Sequence, residues 1–407
     1  MLNVRVVTRS KLKRKATGGE TTMATTKRIS TFVPRDYDIF IGLDVDKKKM
    51  VLTCSDHGTM QRSLSMPYSG SQLLNYTRKH FPGQRVAFVY EAGPSGFGLY
   101  DELTAAQHSC LVVSPSMVPS APRNRVKTNR LDSKKLSEGL RGGQLRGIHV
   151  PPPIYRELRH LVQLRDTQVA QLKATKCRIK SLLLYEGIAF PAPNERWSAK
   201  VLRELEKLPC NPSVRFKLDR LIDALQFHFL TAAQVQKEIR RFCNQEPGLK
   251  QSIAFLTSLP GVGIITATHA VARLGDWRQI ENVRQIAGFL GLVSKEHSTG
   301  DKENRGEITR IGDQRLRNKL IQCAWTAIRK DPELRAFYLQ VFERQPKKVA
   351  ARKAIVAVAR KLTTRMYAVF KEQRPYVIRA DSSIAPLTAE ETAGLRERLD
   401  PAQNDEL

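Results

Sequence analysis

Apolar and polar positions along the chain fall into two regimes. Between Tyr37 and Ser114, short apolar runs alternate with amphipathic stretches. Ile39-Phe-Ile-Gly-Leu-Asp44-Val is an apolar run that ends on a carboxylate. After Lys47-Lys-Lys49 and a tight turn comes a second run, Met50-Val-Leu-Thr-Cys54. Runs of this length bounded by turn residues predict strands. Arg85-Val-Ala-Phe-Val-Tyr90 and Cys110-Leu-Val-Val-Ser114 predict two more, with helices from Ser71 to Phe81 and from Phe97 to Gln107. Strands alternating with helices imply an α/β sheet with helices against it.

From Ile154 the period becomes helical. Leu158, Leu172 and Ile179 share one seven-residue row, interrupted by Arg165; Val162, Val169 and Leu183 share another, interrupted by Lys176. Two such rows make a narrow stripe of the kind that pairs with another helix. Pro191 and Pro193 break the pattern, and a second long helix is predicted from about Ser213 to Phe242. The span 154–245 therefore reads as a helical hairpin or short coiled coil, serving either simple packing or dimerisation. From 251 to 373 the pattern predicts helices joined by glycine-rich turns, with Trp325 and Tyr367 in the core. The organisation is then a basic disordered arm (1–36), an α/β domain (37–150), a helical hairpin (151–250), a mainly α domain (251–373) and a loose tail (374–407).

At 407 residues the chain is too long for one ordinary core, and 41% apolar residues suffice to bury more than one. Charge narrows the partner. Lys and Arg number 68 against 39 Asp and Glu, a net +29. Such self-repulsion gains nothing for folding, so it points to a polyanion, nucleic acid first and an acidic membrane surface second. No apolar run approaches the roughly 18 residues of a spanning helix. Six scattered cysteines without a CxxC pair argue against structural zinc or a disulfide framework, and fit a reducing cytosol. The basic opening residues lack the apolar segment of a signal peptide, and Met23 could equally open the chain.

Two groups of residues carry candidate chemistry. Asp44 and Glu91 each close a strand, and Asn129 and Asp132, three apart, share a face of a helix that begins near Lys127. Oxygen ligands from two strands and a helix suit hard divalent cations such as Mg²⁺, which can activate an attacking oxygen and stabilise a leaving one. Singly, each has a plainer reading as a turn former or helix-start charge; Asp46 reads as a solvated neighbour. Further on, Leu259-Pro-Gly261-Val-Gly263-Ile has the form of a helix-hairpin-helix turn that grips a DNA backbone, or else of an ordinary helix corner. The glycine-punctuated stretch from Gly291 to Arg317 sets hydroxyls among cations, including His297, Lys302, Arg305, Arg310, Arg315 and Arg317. A serine attacking phosphorus needs such a perch and such charge, although most Ser-Thr-Gly loops are only loops.

Taken in order, Gly-Leu-Asp44-Val, Tyr-Glu91-Ala-Gly, Lys-Thr-Asn129-Arg-Leu-Asp132, Leu-Pro-Gly261-Val-Gly263-Ile-Ile-Thr-Ala and His-Ser298-Thr-Gly-Asp-Lys302 resemble the one-ten family of insertion sequences, the bridge-RNA-guided transposases. The likeness covers about residues 38 to 373. It implies a RuvC-like, RNase H-like N-terminal domain, a coiled coil and a C-terminal transposase domain. It further implies an acidic quartet holding Mg²⁺, here Asp44, Glu91, Asn129 and Asp132, and a nucleophilic serine, Ser298, with Thr299 the alternative. Double-stranded DNA at element ends and target, a guide RNA, and a dimer or tetramer with composite sites are the implied partners, in the bacterial cytoplasm at the nucleoid. The third quartet position is commonly Asp; Asn129 brings an oxygen without charge, which puts a second metal in question. Two other readings remain: a RuvC-type junction nuclease using water, and an inactive nucleic-acid binder, which Asn129 favours.

Overall fold

The computed structural model describes residues 32–118, 128–192, 197–275, 277, 280, 282–296 and 305–378. The chain divides into two compact units, one up to Val150 and one from Pro151.

The first unit contains β1 (Ile39–Val45), β2 (Lys49–Ser55), β3 (Gln61–Pro67), α1 (Gly70–His80), β4 (Val86–Glu91), α2 (Gly98–Ala105), β5 (Ser109–Val113) and α3 (Asn129–Arg141). Its sheet runs β3-β2-β1-β4-β5. β1, β2 and β3 pair antiparallel, while β4 and β5 run parallel to β1. A mixed sheet covered by helices is the expected class, and this order is consistent with an RNase H-like domain. Side chains alternate between the faces of a strand. Ile39, Ile41 and Leu43 join Phe88, Tyr90, Leu73, Leu99 and Leu103 in the core under α1 and α2. Phe40, Ala87 and Val89 join Leu136 and Leu140 in a second core under α3. Thus each face of the sheet has its own cover.

The second unit is mainly helical: α4 (Pro153–Tyr185), α5 (Ala199–Lys207), α6 (Pro212–Gln245), α7 (Pro247–Thr257), α8 (Ile264–Leu274), α9 (Val283–Phe289), a small hairpin of β6 (Ser294–Glu296) and β7 (Arg305–Ile308), α10 (Gln314–Lys330), α11 (Pro332–Glu343) and α12 (Lys347–Glu372). The stripes read from the sequence form an antiparallel pair. Leu158 and Val162 of α4 pack with Val235, Ile239 and Cys243 of α6, whereas Ile179 and Leu183 pack with Leu218 and Ile222. The base of this hairpin is continuous with the core of α7 to α12. Its far end packs on α5 through Val201 and Leu205 and leaves Leu184, Tyr185 and Phe216 exposed. Trp325 and Tyr367 pack against the main core, as expected. Packing also reaches past 373: the Tyr376 amide donates to Ser258 Oγ (2.7 Å) and its hydroxyl to Asp331 Oδ2 (2.7 Å). Among the described residues, no helix is long and apolar enough to cross a membrane.

Candidate active site

The first unit gathers four oxygen-bearing side chains by backbone arithmetic. Asp44 follows Phe40 and Gly42 on the α3 face of β1, and Glu91 follows Ala87 and Val89 on the same face of β4. Leu43 and Tyr90 are paired in parallel register, so the next residue on each strand, Asp44 and Glu91, sit side by side at the C-terminal sheet edge. That edge is where parallel α/β sheets bind their ligands. Both residues are half-buried. Asp46 is exposed, with its carboxylate accepting from the Lys47 amide (2.6 Å).

α3 supplies the other two. It lies so close on β1 that a Cβ on Gly42 would fall 2.2 Å from Ser133 O and 2.3 Å from Ser137 N. Hydroxyls fill the rest of the seam. Thr53 Oγ1 bonds Ser133 Oγ (2.9 Å), Ser55 Oγ bonds Ser137 Oγ (2.7 Å), and Ser137 Oγ donates to Phe40 O (2.9 Å). Because Ser137 sits over Phe40 and Ser133 over Gly42, the helix runs antiparallel to β1 and its first turn lies toward Asp44. Thr128 caps that turn, accepting from Leu131 N. Asn129 is exposed at the start, and Asp132 is half-buried with Lys135 Nζ 3.5 Å away. Among the described residues, no three His, Cys, Asp or Glu side chains close around a point that could hold a metal. The donor set nonetheless fits a hard cation: three carboxylates and an amide, without sulfur or imidazole.

In the second unit, His297, Ser298, Thr299 and Lys302 lie outside the described residues, as does the Arg305 side chain. β6 and β7 bracket them, with Glu296 paired to Arg305. Arg310 is exposed, has φ +54° and pairs with Glu307 (3.2 Å); Arg315 is exposed on α10. Arg317 corrects an expectation. It is 5% exposed and donates to Leu290 O (2.8 Å), so its guanidinium is spent inside the fold rather than offered to nucleic acid. Gly261 has an internal reason to be glycine: φ is +84° and a Cβ would lie 2.3 Å from Cys323 O on α10. At Gly263, by contrast, a Cβ would meet nothing within 4 Å.

Sequence reasoning missed a buried charged cluster joining α4, α8 and α10. Asp166 accepts from Lys319 Nζ (3.0 Å) and faces His269 Nδ1 (3.4 Å). Asp313 pairs with Arg273 and lies 4.0 Å from His269 Nε2. Burial draws the His269 pKa down to about 4 despite the neighbouring carboxylates, so the imidazole is neutral at pH 7. Burial pushes Asp313 upward, but the Leu316 amide and Arg273 outweigh it and hold this carboxyl below its ordinary value. A lone His in an apolar helix gives no signal of such partners, because they come from distant segments.

A sheet edge carrying Asp44 and Glu91 in one unit, followed in sequence by a mainly helical unit with exposed arginines, is compatible with a protein that handles nucleic acid. Two family models match the chain in chain order: a DEDD-type transposase model at residues 41–186, and that described as the transposase IS116/IS110/IS902 family at residues 253–339. A Sinorhizobium fredii protein named as a transposase is 31% identical over 303 residues, covering 72% of each chain. The transposase for insertion sequence element IS1328 of Yersinia enterocolitica is 25% identical over 70% of this chain and 82% of its own. The pilin gene-inverting protein of Moraxella bovis is 28% identical over 35% of this chain and 44% of its own. The chain belongs to the IS110-type family of insertion-sequence transposases.

Proposed function

We propose that the chain cuts and rejoins DNA through a covalent serine–DNA link, with Asp44, Glu91, Asn129 and Asp132 as the divalent-metal site. The observation that carries the metal site is the convergence of these four positions on one face and one end of the sheet, fixed by the Gly42–α3 contact. When bound there, Mg²⁺ would supply charge to offset that on the oxygens of a reacting phosphodiester. Three carboxylates make the site anionic, and Asn129 contributes an oxygen donor without charge.

Ser298 is the proposed nucleophile, with Thr299 the alternative. Its Oγ forms a bond to phosphorus as the bond to a sugar oxygen breaks; the hydroxyl proton passes to a base and the leaving oxygen takes one up. Transfer to a second strand reverses these bonds and frees the serine. Lys302, Arg305, Arg310 and Arg315, with the open backbone at Gly263, would hold phosphates. A guide RNA from the element's ends and a dimer or tetramer complete the reading; these two parts rest on the family resemblance.

The test is a denaturing-gel search for a protein–DNA adduct using element-end DNA, flanking RNA and Mg²⁺. The adduct is expected to vanish with Ser298→Ala, with Asp132→Ala and on chelation. Loss with Thr299→Ala alone moves the nucleophile by one residue. Cut DNA with no trapped adduct, unaffected by Ser298→Ala, replaces the recombinase with a water-using junction nuclease. Binding without cutting makes the chain an inactive binder.

A further inference from the structure

The buried cluster of the second unit has no part in the metal site, yet it is costly to build. Asp166, His269 and Asp313 side chains are 9%, 4% and 4% exposed, and buried charges are weak contributors to stability compared with apolar packing. Two carboxylates stand against Lys319, Arg273 and, 3.8 Å from Asp166, Arg165, with a neutral imidazole between them. Asp166 Oδ2 and His269 Nδ1 are buried 3.4 Å apart and make no hydrogen bond among the described residues, so the nearest polar group each meets is the other. Arg159 of α4 adds a further tie, donating to the Ala272 (3.2 Å) and Arg273 (3.4 Å) carbonyls at the end of α8.

The place of Asp313 in the chain says what the cluster holds. Asp313 is the residue on which the β6–β7 hairpin segment ends and α10 begins, and its carboxylate accepts from Leu316 N (2.9 Å). Its own amide donates to Phe289 O (3.1 Å), the residue before the hairpin segment starts. Just above, Gly312 and Gly291 let the two stems pass at backbone distance. A Cβ on Gly312 would fall 2.0 Å from Phe289 O, and one on Gly291 would fall 2.4 Å from Ile311 O. Arg317 holds Leu290 O, and Thr309 N donates to Val293 O (2.8 Å). The stems are therefore clamped at 289–293 and 309–313, and the clamp rests on Asp313.

We infer that Asp313 and His269 are positioning residues: the buried Asp166–His269–Asp313–Arg273 cluster fixes the stem of the hairpin that presents the nucleophilic hydroxyl to a DNA phosphate. The inference rests on the proposal that Ser298 or Thr299 is that nucleophile. Misplacing a reacting atom by about 1 Å slows chemistry by up to ~100-fold while leaving binding to other contacts intact. The effect belongs in the rate of bond formation and not in DNA affinity.

Asp313→Asn tests this, because Asn caps a helix as well as Asp does, so the bond from Leu316 N is kept while the charge and the acceptor facing Arg273 Nε are lost. Full-length protein would be assayed for amide exchange, DNA affinity and single-turnover adduct formation at saturating DNA. In the Asp313→Asn variant, exchange in peptides 289–296 and 305–313 is expected to rise by about tenfold with α12 unchanged. Adduct formation is expected to fall by at least about tenfold, with Kd within about twofold. His269→Leu should behave alike, and His269→Gln, whose polar amide keeps a donor facing Asp166, should recover most of the rate. Unchanged stem exchange in both Asp313→Asn and His269→Leu overturns the inference. So does parallel loss of α12 protection in Asp313→Asn and His269→Gln, which makes the role merely structural, or a full rate on a loosened stem. If adduct persists in both Ser298→Ala and Thr299→Ala, the nucleophile assignment fails by itself. Stem exchange and cut-strand yield then judge the cluster, and an unchanged yield overturns it.

Discussion

His269 shows how one residue can make folding depend on acidity. In the fold, burial holds its pKa near 4, against 6.5 for the free side chain. Between those values the unfolded chain binds a proton that the folded chain refuses, so stability rises with pH across the window and is lost as pH falls through it. Asp166, Asp313, Lys319 and Arg273 face the ring, and only the two carboxylates would welcome its charge. Chemical denaturation at pH 7 and pH 4.5 is expected to show a loss on the order of 2–3 kcal/mol that His269→Gln lacks. Equal pH dependence in the two proteins would mean that other groups carry it.

The seam between β1 and α3 is set at the scale of elements. Gly42→Ala drives a methyl into helix backbone, not into a side chain that can turn away. The expected loss is ~3 kcal/mol, read as a lower urea midpoint at constant slope, together with weakened metal-dependent cleavage because the start of α3 is pushed off. That Asp44 and Glu91 each close a strand was legible from the sequence, since each follows an apolar run, but the parallel register that sets them side by side was not. That Gly42 would meet a helix was not: nothing in Ile39-Phe-Ile-Gly-Leu says which element lands there. β3 escaped reading because Gln61–Pro67 is mostly exposed and turns only Leu64 and Met66 toward the core. The long stripes of α4 and α6 were readable at both ends, but Val169 in the middle of α4 is exposed instead of packed, and short α5 was missed. The ion cluster was out of reach for a different reason, since Lys319 and Asp166 are 153 residues apart and no local pattern links them.

For the molecule as a whole, a net charge of +29 predicts affinity for DNA or RNA that falls steeply with salt. The structure sorts which cations contribute. Arg310 and Arg315 are exposed, and replacing either by Ala should lower the slope of log K against log salt by about one. Arg317→Met should leave the slope unchanged and reduce stability instead, since its guanidinium bonds Leu290 O inside the fold. Reversed outcomes in a filter-binding titration would place the contact surface elsewhere. One family model spans the sheet of the first unit and runs on through α4, and the other falls on the helices that follow α6, so both units belong to the transposase.

α4 is one unbroken helix of 33 residues, and that has a mechanical consequence. It passes the charged cluster at Asp166 and ends at the exposed Tyr185, 19 residues and about 28 Å further along. A stiff rod held at that point acts as a lever. A tilt of about 5° at the Asp166 fulcrum sweeps the tip through roughly 2–3 Å, and a push at the tip returns as torque on the residues that clamp the hairpin.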